Sequence, residues 1–251
     1  MKKIGFLGCG KIGHRIASHI IDHHLGKITF IQDPFFENTL NLSCPVIDSA
    51  SETLLAQSDL IIECATADIL KANIHQILMN CDLLLFSVTA FADPDFESQV
   101  HTLCQTYGHK IYIPHGAIIG LDGIIDGRKL WQKVTIETRK SPESLGRSDQ
   151  QETVLYEGST RGACNTFPRN VNVHAAVALS GIGFDRTFSK IIAVPGMAAN
   201  EHTITLEGDG ARFQIHVRSF AAGSITGAYT PLSACGSIDR ILNTSSCLLN
   251  V

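Results

Sequence analysis

Residues 5–13 read "GFLGCGKIG", with glycines at positions 8, 10 and 13. The apolar run "KIGFL" leads into them. "KIGHRIASHIID" follows, with Ile12, Ile16, Ala17, Ile20 and Ile21 at helical spacing. Strand, G-x-G-x-x-G turn and helix, in that order, form the opening of a dinucleotide-binding unit. The first glycine permits the tight turn, the second lets backbone approach a pyrophosphate, and the third lets helix pack on strand. The phosphates then meet a helix N-terminus, whose N–H groups and dipole favour an anion. Expected cofactor contacts are therefore Gly8, Gly10, Lys11, Ile12 and Gly13.

The next strand, "KITFIQD", ends at Asp33, about 20 residues past Gly13, and Pro34 stops it. A carboxylate at that place accepts hydrogen bonds from a ribose 2′-OH and repels a 2′-phosphate. No basic residue stands at 34–36, so NAD is expected ahead of NADP, with NADP still possible. The competing reading is plain: the glycines only shape a turn and Asp33 is a solvated acid.

Outward from this turn the chain alternates. "SETLLAQ" reads as a helix capped by Ser51, "DLIIECA" as a buried strand, and "ADILKANIHQILMN" as a helix. "DLLLFSVTAF" reads as another buried strand. "DPDFESQVHTLCQTYG" is a helix opened by Asp93 and closed by Gly108, and "HKIYIPHGAI" a last strand. Continuously apolar strands alternating with helices predict an α/β fold, a Rossmann-type doubly wound parallel sheet. Ala65, just after "DLIIEC", is a further expected cofactor contact.

Past residue 116 the period changes to two. "KVTIETRK", "ETVLYEG", "KIIAVPG" and "HTITLEGDGARFQIHVRSF" alternate as half-buried strands do, and Asp209-Gly210 marks a hairpin. "NVNVHAAVALSGIGF" is the helical piece among them. "TPLSACGSIDRILN" is helical again. The expected organisation is a dinucleotide-binding domain over 1–116, a smaller α+β substrate and dimerisation domain over 117–222, and a C-terminal helix over 223–251 that returns to the first domain.

Composition sets limits. The chain has 251 residues, 44% hydrophobic and 18% charged, with a net charge of −4. No basic surface argues for nucleic acid or an anionic membrane. No run approaches the ~20 apolar residues of a membrane span, and the apolar start breaks at Gly8, too short for a signal peptide. The eight cysteines include no C-x-x-C pair. They read as buried free thiols of a cytoplasmic protein. Eleven histidines include no H-E-x-x-H or similar ligand spacing, so no metal site is expected.

"SVTAFADPDF", "HGAIIGLDGI", "VTIETRKSP", "LYEGSTRGACNTFPRNVNVHAAVALSGIGFDRT" and "VPGMAANEHTITLEGDGARFQI" resemble, in order, signature segments of the L-aspartate dehydrogenase family. The resemblance covers nearly the whole chain, and "FPRNVNV" and "GIGFDRT" are its specific strings. It implies NAD(P)-dependent oxidative deamination of L-aspartate to iminoaspartate or oxaloacetate, a small dicarboxylic amino acid as substrate, and a homodimer. Some members feed NAD biosynthesis. By motif, Ala117 and Asn172 match positions at the nicotinamide end of the cofactor. His202 of "NEHTI" matches the catalytic histidine, and Lys140 of "TRKSP" a substrate-side lysine. The family usually has Ser where His115 stands, a small residue where His174 stands, and Gly where Thr89 stands.

The chemistry fits these residue types. A histidine accepts and returns a proton near neutral pH. It stands here at the start of "HTITLEG", where a surface histidine is the plain alternative. Lys140 can bind a carboxylate or act as a base. Asn172 suits a carboxamide or caps the helix after it. Arg161, Arg169 and Arg186 are open candidates for a carboxylate, and His115 and His174 read as structural. Two other functions compete: a related dehydrogenase of another small amino or hydroxy acid, and a dinucleotide-binding sensor without turnover.

Overall fold

The computed structural model describes residues 1–220 and 228–242. The expected boundary at 222/223 and Cys247 lie outside them. The chain divides into two compact units, one of residues 1–114 with the segment from Pro231, the other of residues 115–230.

Unit one contains β1 (Lys3–Leu7), α1 (Lys11–Asp22), β2 (Lys27–Gln32), β3 (Val46–Ile47), α2 (Glu52–Ala56), β4 (Leu60–Glu63), α3 (Ala67–Asn80), β5 (Asp82–Leu85), α4 (Pro94–Tyr107) and β6 (Ile111–Tyr112). All strands are parallel, in the order β3-β2-β1-β4-β5-β6. The strands are apolar throughout because helices cover both faces. Ile4, Phe6, Leu7, Ile61, Ile62, Leu83 and Leu84 are fully buried.

Side chains start α2, α3 and α4. Ser51 accepts from Leu54 N, Thr66 from Ile69 N, and Asp93 from the amides of Asp95 and Phe96, ahead of Pro94 at the first turn. Gly108, at φ +76°, ends α4.

The segment expected as one strand, "DLLLFSVTAF", is shorter: β5 ends at Leu85 and a 3-10 turn spans Val88–Ala92. Its apolar character persists because all five residues of that turn are buried. Buried helical turn and buried strand share one hydropathy signature.

Unit two contains α5 (Leu121–Asp126), β7 (Trp131–Lys140), β8 (Thr153–Ser159), α6 (Thr160–Thr166), α7 (Asn172–Ser180), β9 (Thr187–Ala193), β10 (Ala199–Gly208) and β11 (Ala211–Phe220). The sheet runs β11-β10-β7-β9-β8, antiparallel except for β7 beside β9. Helices α6 and α7 pack on it. Fully buried Ala175 and Ala178 let α7 approach closely.

Asp209 and Gly210 join β10 to β11, Gly210 at φ +77°. Strand β10 begins at Ala199, three residues before the expected start, because Ala199, Asn200 and Glu201 pair with Phe220, Ser219 and Arg218. His202 therefore lies inside a strand. The short helices α5 and α6 carry no long hydrophobic period and were not expected.

Helix α8 (Tyr229–Leu242) brings Ala234 and Ile238, both fully buried, into the core formed by α1 and the first strands. Its Asp239 pairs with His19 at 2.8 Å. Among the described residues, no helix is long and apolar enough to cross a membrane, and no group of three or more His, Cys, Asp or Glu could hold a metal ion.

Candidate active site

The glycine turn joins β1 to α1. Gly8 has φ +80°, and a Cβ there would stand 2.7 Å from Ala65 N. A Cβ on Gly13 would stand 2.9 Å from the Gly8 carbonyl, so this glycine sets the helix-to-strand approach. Gly10 differs: an added Cβ would meet nothing within 4 Å. The space beside it is open, as a pyrophosphate cradle requires. Gly10 also holds the N-cap position of α1 without a side-chain bond, and no acid occupies the first turn with Lys11 and Ile12. An anion completes such a helix end.

Asp33 reaches this turn from the end of β2. Its Oδ2 accepts from Cys9 N at 2.7 Å and its Oδ1 from Phe35 N at 2.9 Å. Each oxygen keeps a further acceptor site for a ribose hydroxyl. The Cys9 thiol is pushed up to about 12, by burial first and then by Asp33, so it stays protonated. These residues fit a dinucleotide.

Sequence reading gave Glu63 no role. It ends β4, is fully buried, and accepts from Ala65 N (2.8 Å), Phe86 N (3.2 Å), Ser87 N (3.0 Å) and Ser87 Oγ (2.7 Å). Burial raises its pKa against those four donors. The carboxylate ties the ends of β4 and β5 together and fixes Ala65 against Gly8. The signal was an acid inside the apolar run "DLIIECA".

In unit two, register builds the site. His202 on β10 stands directly opposite Thr138 on β7. Opposed residues of antiparallel strands share a face, and so do residues two apart. Lys140, Thr138 and His202 thus lie on one face, and His174 of α7 reaches the same place. Thr138 Oγ1 contacts His202 Nδ1 at 2.8 Å and His174 Nε2 at 2.7 Å. His174 Nδ1 contacts Ser189 Oγ at 2.9 Å, and Ser189 Oγ contacts Thr160 Oγ1 at 2.7 Å. Thr160 Oγ1 donates to the Thr187 carbonyl at 3.1 Å.

His202 is only 4% exposed, so the surface alternative is set aside. Burial, then the Lys140 charge, lowers its pKa to about 3. Burial, then His202 and Lys140, holds His174 well below the usual histidine value. Both rings are neutral. Lys140 is 5% exposed, and among the described residues its Nζ reaches one acceptor, the Asn170 carbonyl, at 3.5 Å. Burial lowers it to about 8, so at neutral pH it remains mostly an ammonium.

Asn172 is the first residue of α7, and Val171 holds the N-cap position, so the capping alternative does not describe Asn172. Ala117 lies in the turn in which Ile118 N donates to the His115 carbonyl, beside Gly116 at φ +62°. Thr89 is buried in the 3-10 turn. Arg161 binds Asp185 through two bonds of 2.7 and 2.8 Å and is committed there. Arg169 and Arg186 are exposed. The structure thus groups the glycines with Asp33 and Ala65 in unit one, and His202 with Lys140 in unit two.

A doubly wound sheet with this turn, followed by a separate sheet carrying a buried histidine and lysine, defines a nicotinamide-dinucleotide-dependent dehydrogenase. Comparison with known proteins narrows the class. The family described as "Homoserine dehydrogenase, NAD binding domain" matches residues 8–114, and "Aspartate dehydrogenase, C-terminal" matches residues 125–241.

L-aspartate dehydrogenase of Methanococcoides burtonii is 34% identical over 266 residues, spanning 96% of this chain and 97% of the relative. That of Methanosarcina mazei is 31% identical over 265 residues, spanning 97% and 98%. The crystal structure of aspartate dehydrogenase from Thermotoga maritima matches with a TM-score of 0.79 at 26% identity, covering 100% of both chains. The chain belongs to the L-aspartate dehydrogenase family.

Proposed function

We propose that this protein oxidises L-aspartate with NAD(P), giving iminoaspartate, which water converts to oxaloacetate and ammonia. The observation that carries the reading is the buried His202, set beside Lys140 on one sheet face. The cofactor, when bound, supplies the hydride acceptor for the substrate's Cα hydrogen. Gly8, Gly10, Gly13, Lys11 and Ile12 hold its pyrophosphate, Asp33 its adenosine ribose, and Ala65, Ala117 and Asn172 its remaining length.

His202 takes the proton of the substrate ammonium and later activates water. Lys140 holds a substrate carboxylate as a point charge. A buried ammonium with one long hydrogen bond is incompletely compensated, and a carboxylate completes it. Burial first and the Lys140 charge second depress His202, and that carboxylate offsets the second of these, which favours a proton on the ring.

The protein acts as a homodimer in the cytoplasm, on this reading. The ten residues of β11 lie at the sheet edge, with Phe213 55% exposed beside a groove of about 560 Å³ lined by Ile124, Leu130, Trp131, Leu206 and Ile215. Long apolar edges of this kind are normally covered, and a second copy is the proposed cover. The seven described cysteines are all free, in keeping with a reducing compartment.

The test is reductive amination. Purified protein with oxaloacetate, ammonium and NADH is expected to lose NADH absorbance faster than with NADPH or with other 2-oxo acids. Binding of NADH without turnover of any 2-oxo acid overturns the proposal in favour of a sensor. Light scattering of the same sample is expected to give the mass of two chains, and a monomer overturns the dimer.

A further inference from the structure

The hydrogen-bonded path from His202 through unit two ends on a group that cannot donate. The Thr187 carbonyl only accepts, and Thr160 Oγ1 lies 3.1 Å from it. The single hydroxyl proton of Thr160 goes there. Thr160 Oγ1 must then accept from Ser189 Oγ, 2.7 Å away. Ser189, its proton spent, accepts from His174 Nδ1 at 2.9 Å.

A neutral His174 protonated at Nδ1 presents a bare Nε2, which accepts from Thr138 Oγ1 at 2.7 Å. Thr138 in turn accepts from His202 Nδ1 at 2.8 Å. The opposite polarity leaves two oxygens, Thr160 Oγ1 and the Thr187 carbonyl, facing each other with no proton between them. Thr160, Thr187, Ser189 and His174 are fully buried and Thr138 is 1% exposed, which leaves little access for solvent to reset the order.

We infer that this chain of bonds, anchored on the Thr187 carbonyl, locks neutral His202 as its Nδ1–H tautomer and leaves the Nε2 lone pair as the working base. Thr138, His174, Ser189 and Thr160 are positioning residues. No group among the described residues bonds to Nε2. Burial keeps His174 from carrying a charge, so the path orients the proton on His202 rather than ferrying protons away. The resemblance puts a small residue at position 174, so this link through α7 is not one that the resemblance supplies.

The inference rests on His202 being the base, and two separate readouts keep the ideas apart. The first is long-range ¹H–¹⁵N correlation of histidine-labelled protein near pH 7.5, with His202 assigned by its loss in His202→Gln. The expected wild-type spectrum shows His202 protonated at Nδ1. An Nε2–H tautomer overturns the inference.

The second is Thr160→Val, which touches neither histidine. Without the Thr160 hydroxyl, Ser189 turns its proton toward His174 Nδ1 and every bond reverses. His202 then becomes Nε2–H. The wrong tautomer is costly to a base, so kcat falls at least about tenfold while the aspartate KM and NADH affinity hold. Thr160→Ser restores both tautomer and rate.

A purely structural role lowers the melting temperature and leaves tautomer and kcat alone, and that result overturns the inference. Should Thr160→Val not fold, Ser189→Ala removes the His174 Nδ1 acceptor and makes the same test. An active His202→Ala enzyme with a wild-type Nδ1–H signal sinks the base reading and leaves the lock standing.

Discussion

The two halves of this enzyme are built from opposite materials. The dinucleotide turn works by what is missing: at Gly8, Gly10 and Gly13 backbone stands where side chains would collide or fill the cradle. The substrate half works by what is present, a set of side chains from two helices and three strands that must all point inward together. A turn of nine residues is local and tolerates any neighbour that keeps its backbone. The buried polar path is non-local, and one wrong register ends it.

The largest test of this contrast is His202→Ala. It should lower kcat by ~10²-fold or more while NADH binding, to which His202 is given no part, stays intact. Turnover near wild type would mean the polar path serves packing alone. Next comes Lys140→Met. Losing a charge-assisted bond to substrate should raise the aspartate KM roughly 10- to 100-fold. The melting temperature should hold or rise, because a poorly compensated buried charge is gone. A fall in stability with unchanged KM would make Lys140 a structural residue.

The glycine turn offers a matched pair. Gly8→Ala forces a left-handed φ and a 2.7 Å contact with backbone, so it should destabilise the fold. Gly10→Ala meets nothing in the protein, so it should melt normally yet bind NADH about tenfold more weakly. Equal effects from both would deny that Gly10 faces the cofactor.

The smallest effect separates the halves by pH. His202 and His174 have folded pKa values below their unfolded value of 6.5. Below pH 6.5 the unfolded chain binds protons that the folded rings refuse, so stability falls as pH falls, down to about 3 for His202 and in the same direction for His174. Each ring contributes about 1.4 kcal/mol per pH unit in that window. Urea melts between pH 6.5 and 5 should therefore show a shallower slope for His174→Leu than for wild type. Equal slopes would mean that His174 takes a proton in the folded state.

The same contrast explains what the sequence discloses. The parallel sheet is legible because its strands are continuous apolar runs and the helices after the first carry their own capping side chains. The glycine turn is legible because all of it lies within nine residues. Glu63 hides inside an apolar strand, where a single acid reads as an interruption. Thr138 and Ser189 are ordinary β-sheet hydroxyls, and Thr160 an ordinary helix-start hydroxyl, until the fold links them to two imidazoles. His174 reads as structural from sequence because nothing in "NVNVHAAVAL" tells which way a mostly apolar helix turns its one ring. The 3-10 turn after β5 and the early start of β10 are missed for a related reason: burial looks alike in strand and turn, and polar Asn200 and Glu201 conceal pairing that their partners on β11 dictate.

The position of α8 has a consequence for how the protein is made. Its Ala234 and Ile238 complete the core around α1, although they leave the ribosome more than a hundred residues after the last strand of that unit. At ordinary synthesis speeds the first-made half waits on the order of ten seconds for its final piece. A chain cut after residue 230 should bind NADH poorly, and undiminished binding would show the wait to be harmless. During that interval Ile16 and Ile20 lack two members of the core they belong to in the finished molecule. The first unit stays open until every strand of the substrate unit's sheet has been made, and α8 decides when the first fold is finished.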